Sequence, residues 1–243
     1  MKATLIITHI HKLYATQRDQ DAFLCLENAF VAVHHDRIID LGTHDYHTWV
    51  DKDTRLIDAA NEIVVPAFID PHVRFSFNQK NGDNLRINRE TMELFYKNGI
   101  TTMAAEELPD IASTPFFELI RFKPKKKMAL VDYHYLSNRI LPKHFLLSTS
   151  FSYDSDPFYD LMPLASLLCM EQAVTEEEVL ASMTLYPARK LHLKSQNGIR
   201  RGAVANMIVF QARDLHELFH SFGRRRLHRI IHKGVHIYPH VIV

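Results

Sequence analysis

Hydrophobic and polar positions alternate with a period near two at both ends of the chain and with a helical period in its middle. Residues 1–66 carry β-rich runs at Ala3–His9, Leu24–His34 and Arg37–Leu41, broken at Asp36-Arg37 and Gly42-Thr43, and Asn61–Pro66 then leads into the segment Pro66-Ala-Phe-Ile-Asp-Pro-His72. The tail repeats the pattern. Gly198-Ile-Arg-Arg-Gly202 reads as a turn, Ala205–Phe210 as a strand, and Arg229–Tyr238 as a hairpin turning at Lys233-Gly234. Between them, the spacing predicts a helix from Arg89 to Asn98, capped by Asn88 and Gly99, then a buried strand over Ile100–Ala105. Thr175-Glu-Glu-Glu178 is a capping box, and the helix it opens should end near Pro187. There is no internal repeat.

Composition narrows the class. The chain has 243 residues, 47% of them hydrophobic, and a formal net charge of +1. This is enough for one large domain or two small ones, without a general pull toward nucleic acid or membrane. No apolar run approaches the ~18 residues of a membrane span, and the N-terminus lacks the pattern of a signal peptide, so a cytoplasmic protein is expected. Cys25 and Cys169 both stand in apolar contexts and read as two buried thiols.

Among segments that could carry chemistry, Val64-Val-Pro-Ala-Phe-Ile-Asp-Pro-His-Val-Arg74 is the most informative. Side chains two apart on a strand point the same way, so a His-x-His there would aim two imidazoles at one metal ion. Here His72 is followed by Arg74, which is always protonated and has no lone pair to donate. His9 and His11 have the same spacing but read as one solvent-exposed face, and His228, His232 and His236, at intervals of four in a β-rich stretch, do not share the helical face of a metal pair. Arg224-Arg-Arg226 and Lys123-Pro-Lys-Lys-Lys127 read as solvated surface runs. No Gly-rich phosphate loop, Cys-x-x-Cys pair or Gly-x-Ser-x-Gly elbow is present.

Four blocks resemble the amidohydrolase superfamily, and within it the imidazolonepropionases. They are Pro66–His72; Phe95–Thr102; Leu147–Pro157 with Met162-Pro-Leu; and Thr175–Tyr238, which holds Glu217-Leu-Phe-His-Ser-Phe-Gly223 and a later Lys233-Gly234. A weaker likeness places Tyr133–Pro142 after the seventh barrel strand. The resemblance implies an α/β fold: a TIM-like metal-dependent hydrolase barrel over 67–197, beside a composite β-sandwich of 1–66 plus 198–243. That division leaves about 130 positions for a barrel that takes roughly 250 when complete, so a shortened barrel of about four strands is expected.

By the same resemblance the ancestral activity is hydrolysis of non-peptide C–N bonds in cyclic amides by a zinc or iron hydroxide. His72 would be the retained metal ligand, Arg74 a lost ligand position, and Ser150 would stand where the family has its catalytic aspartate. Ala67 replaces the glycine of Pro-Gly-Phe, and Glu106-Glu-Leu-Pro-Asp110 replaces the substrate loop. The leading expectation is a catalytically degenerate amidohydrolase without metal. A second is an active hydrolase with a rearranged site drawn from His72, His134 or His144, and Asp154. A third is a non-catalytic partner of a full-length relative. An opened barrel exposes strand edges, which predicts a homodimer.

Overall fold

The computed structural model describes residues 1–17, 22–75, 89–108, 116–123, 128–135, 140–152, 156, 158–171, 174–196 and 198–239, residues 89 and 90 by backbone only. The chain begins with five strands, β1 (Leu5–Thr16), β2 (Phe23–His34), β3 (Arg37–Gly42), β4 (Arg55–Asp58) and β5 (Ile63–Pro66). The middle holds β6 (Phe68–Asp70), α1 (Arg89–Lys97), β7 (Ile100–Ala105), β8 (Glu118–Arg121), β9 (Leu130–Val131), β10 (Leu146–Leu147), α2 (Met162–Glu171), α3 (Glu176–Met183) and α4 (Leu185–Lys190). It closes with β11 (Met207–Phe210), α5 (Leu215–Phe219), β12 (Leu227–His232) and β13 (Val235–Tyr238). These divide into two compact units, residues 1–67 with 192–243, and residues 68–191.

In the first unit both chain ends build one mixed sheet of eight strands in the order β13-β12-β11-β5-β1-β2-β3, with β4 beside β1. The run Leu5-Ile-Ile is continuously apolar because both faces are covered. Leu5 and Ile7 join the main core with Val31, Val33 and Met207, while Ile6 packs with Phe30 and Ala32 under Tyr46 and Trp49. At His9 the backbone takes a positive φ of 53°, and the register with β2 slips between Ile7 and Ile10. This bulge lets one long strand change neighbours: Leu5–Thr8 pairs with β4, and Lys12 and Leu13 pair with β5. It also breaks the alternation, so His9 and His11 are not the regular same-face pair of an unbroken strand. His9 Nδ1 lies 3.1 Å from Asp58 Oδ1, in solvent. The β12–β13 turn has a strict steric need. Gly234 has φ +77°, and a Cβ there would lie 1.7 Å from the His35 carbonyl oxygen.

In the second unit β6, β7 and β8 form a parallel sheet, as do β9 and β10. The two meet where Arg74, beyond β6, pairs in parallel with Ser152, beyond β10. Arg74 N–H donates to the Phe151 carbonyl at 2.7 Å. Five parallel strands thus run in the order β8-β7-β6-β10-β9, and among the described residues they do not close into a barrel. The fold is mixed α/β, with α1 leading into β7 and α3 packing on β6 and β10.

Two expectations need correction. Cys25 is exposed and only Cys169 is partly covered; neither is in a disulfide. The first half of β2 stands out of the core, although its residues are apolar enough to suggest burial. The helix opened by Thr175, whose reciprocal cap with Glu178 is present, ends at Met183 and not near Pro187. Pro187 lies in the first turn of the next helix, α4, where a missing N–H costs no intrahelical bond. The predicted cap Asn88 lies outside the described residues, as do residues 124–127 of the lysine run. Arg226 is held by Glu217 at 2.9 Å, and Arg225 lies over the Tyr238 ring at 5.4 Å, so two members of the arginine cluster serve the fold.

Candidate functional site

Three of the residues singled out from sequence, His72, Arg74 and Ser150, lie where β6 and β10 end, the end of a parallel sheet at which side chains from several strands converge. Two segments almost eighty residues apart are tied there by one carboxylate. Asp70 is fully buried. It accepts hydrogen bonds from Ser148 Oγ at 2.7 Å, Thr149 Oγ1 at 2.5 Å, Thr149 N at 3.2 Å and His72 N at 3.1 Å. Burial pushes its pKa up to about 6, and it outweighs these four donors, which pull the other way.

His72 follows directly. Its ring is half-buried, and Nδ1 is enclosed without a hydrogen-bond partner. Burial first, and then the positive charge of Arg74, lower its pKa, against smaller opposing pulls from Glu106 and Asp132. The imidazole is therefore neutral at pH 7. His72, Arg74, Glu106 and Glu107 line a cavity of about 270 Å³, with Val73 and Phe75 as its apolar lining. Ser150 is buried and takes a positive φ of 46°. Its hydroxyl donates to Asp132 Oδ2 at 2.7 Å, and its N–H donates to Ser148 Oγ at 3.0 Å.

The remaining candidates lie elsewhere in the unit or beyond description. His134 is exposed, with Nε2 3.7 Å from Asp156 Oδ1, a carboxylate that also accepts from the Tyr133 hydroxyl. His144 precedes β10, while the cavity lies beyond the strand ends, and its ring stands edge-on to Tyr186 at 4.9 Å. Asp154 lies outside the described residues.

Among the described residues, the donor set around His72 does not fit a zinc or iron ion. Such a site needs about three protein ligands and a water. His72 supplies one lone pair, Arg74 supplies none, and the Ser150 hydroxyl is bonded to Asp132. Among the described residues, no group of three His, Cys, Asp or Glu ligand atoms includes His72.

Sequence reasoning missed the part played by Asp70, Ser148 and Thr149. The available signal was an acidic residue inside the apolar run Phe68-Ile-Asp-Pro, which requires buried donors if the run is core. It also read Glu106-Glu107 only as a lost loop, whereas both carboxylates line the His72 cavity.

Known proteins give the fold a context. No family model matches the chain. An imidazolonepropionase of Photorhabdus laumondii is 30% identical over 90 residues, 37% of this chain, and one of Salmonella agona is 29% identical over 89 residues, 36% of this chain. The matched stretch spans 22% of the length of each of these curated relatives. Among solved structures, a variant of the atrazine chlorohydrolase TrzN from Arthrobacter aurescens TC1, complexed with zinc and atraton, aligns with a TM-score of 0.65 at 10% identity, over 96% of this chain and 94% of that one. Guanine deaminase from E. coli aligns at 0.61 and 12% identity over 96% and 98%. A zinc-bound adenosine deaminase from Xanthomonas campestris aligns at 0.63 and 12% over 97% and 93%.

Proposed function

We infer that this chain, which is related to the amidohydrolase superfamily, descends from hydrolases of non-peptide C–N bonds in cyclic amides of the imidazolonepropionase type and has lost the metal-dependent step. In this reading residues 68–191 are the remnant of a TIM-like barrel, and the protein acts in the cytoplasm as a non-catalytic relative. One observation carries it: the guanidinium of Arg74 shares the cavity of His72. The hydroxyl of Ser150, bonded to Asp132, adds to it. A cation fixed in that cavity repels a second cation, and a serine hydroxyl cannot do the proton transfer of a carboxylate at neutral pH.

The test is elemental analysis for zinc, iron and manganese on protein purified without chelator, beside His72→Ala. The expected content is far below one metal per chain and equal in both proteins. Near-stoichiometric metal that disappears in His72→Ala would sink the reading.

A rearranged hydrolytic site is the second reading, and the Ser150–Asp132 hydrogen bond favours it. Asp132 returns a carboxylate to within 2.7 Å of the Ser150 hydroxyl, one strand over from where the resemblance expects it. With His72 and His134 as its histidines this reading takes the opposite result in the same metal analysis; His144 precedes β10 and Asp154 lies outside the described residues, so neither supports it.

A homodimer completes the proposal. Among the described residues β8 and β9 each pair on one side only, and unpaired strand edges favour association with a second copy. Sedimentation equilibrium should give a mass of two 28.3 kDa chains. A monomer at micromolar concentration overturns this part.

A further inference from the structure

We propose that the cavity at His72 binds a small amino-acid-type zwitterion, with its carboxylate on Arg74 and its ammonium on Glu106 and Glu107. The inference deepens the reading above and rests on it, because a dication held at His72 would occupy the same space. Three charged side chains of both signs line this one cavity, and among the described residues none of the three is in an ion pair. Arg74 is exposed and its backbone N–H is held by Phe151, which fixes the base of the side chain while the guanidinium is uncommitted. Glu106 and Glu107 follow β7, the strand beside β6, so the opposite charges stand on neighbouring strand ends.

A guanidinium offers a planar fork that matches a carboxylate, and a pair of carboxylates accepts the three protons of an ammonium. Arg74 and the two glutamates do not reach each other, so a ligand carrying both charges a few bonds apart satisfies all three where a singly charged one cannot. The His72 ring, Val73 and Phe75 line the same cavity, so it also offers a hydrogen-bonding edge and apolar surface for a short spacer. The volume of about 270 Å³ is just below the roughly 300–1,000 Å³ of ligand pockets in general, which selects amino-acid-sized molecules.

Titration calorimetry and amide-shift mapping with β-alanine, 4-aminobutyrate and lysine, beside acetate and butylammonium, test this on the full chain after its metal content has been measured. At least one zwitterion should bind about tenfold or more tighter than either singly charged probe, with shifts at residues 72–75 and 106–107. Arg74→Gln and the double variant Glu106→Gln/Glu107→Gln should each weaken it by about tenfold or more, the range expected for a lost charge-assisted bond. All three side chains are exposed, so a thermal melt matching the parent verifies that each variant is folded. Metal-free protein with no preference for a zwitterion, or with binding that both variants leave unchanged, overturns the inference and leaves the loss of metal standing. Stoichiometric metal at His72 overturns both.

Discussion

Replacing Asp70 with alanine is expected to destabilise the second unit by about 3–5 kcal/mol, the cost of leaving a buried polar network without its centre. The reason is the number of groups that converge on this side chain. Two hydroxyls and two backbone N–H groups donate to it, and all but the part-buried bond from His72 lie in the interior. The alanine methyl meets none of them. More than local packing is lost, since the Asp70 carboxylate joins residues 70–72 to residues 148–149, next to the point where β6 and β10 come together. Asp70→Asn keeps the shape and one acceptor oxygen, and the hydroxyls of Ser148 and Thr149 can turn to suit its amide. It should therefore lose clearly less than alanine. Urea unfolding of the three proteins at pH 7 measures this. Equal loss in both variants, or less than about 1 kcal/mol in alanine, would show that the network is not what joins the two segments.

The second large effect is acid sensitivity from His232. This residue ends β12, is fully buried, and neither ring nitrogen has a hydrogen-bond partner. Burial first, and then the charge of Lys233, push its pKa down to about 4 from an ordinary 6.5. The unfolded chain therefore binds a proton there over a range in which the folded chain does not. The stability from keeping this ring neutral is complete above pH 6.5 and is lost as the pH falls toward about 4, a change of about 3 kcal/mol. In His232→Leu the dependence is absent. At pH 7.5 the variant should lie within about 1 kcal/mol of the parent, because no hydrogen bond is lost. At pH 4 it should be the more stable of the two by about 2–3 kcal/mol. Asp70 works in the opposite sense between about pH 4 and 6, since its folded pKa is raised, so only the difference between parent and variant isolates the histidine. Parallel pH profiles for the two proteins would show that His232 is not buried in its neutral form.

These two residues also mark how far the sequence could be read. Asp70 stood inside an apolar run that hinted at burial, but nothing near either residue in the chain told what its neighbours would be. The strands at Arg37 and Ile100, the hairpin at Lys233-Gly234 and the cap at Thr175 were legible because short-range patterns specify them: alternation, turn residues and a side chain bonding its own backbone three residues on. The candidate site was legible in part. His72, Arg74 and Ser150 were named from their places in a motif, but the carboxylates that define their surroundings, Asp132, Glu106 and Glu107, come from other strand ends.

The misreading of Cys25 and the absence of any reading for the burial of His232 have the same origin. Cys25 and His232 both stand among apolar neighbours in strands, and one is exposed and the other buried. Local composition is the same for both, and only what packs on each strand face differs. His9 and His11 fit a regular strand until a bulge at His9 broke it, and that bulge exists because β1 exchanges β4 for β5 partway along its length.

The sequence by itself determined what each residue can do chemically and which local element it favours. That Arg74 offers no lone pair and Ser150 no carboxylate holds in any fold, because side-chain chemistry belongs to the residue. The tertiary structure alone decided which of these groups meet, which are buried, and how their protons are held. Those outcomes depend on contacts between segments as far apart as Asp70 and Ser148, and such contacts are set by how whole sheets pack, a cooperative matter that no window of local sequence contains.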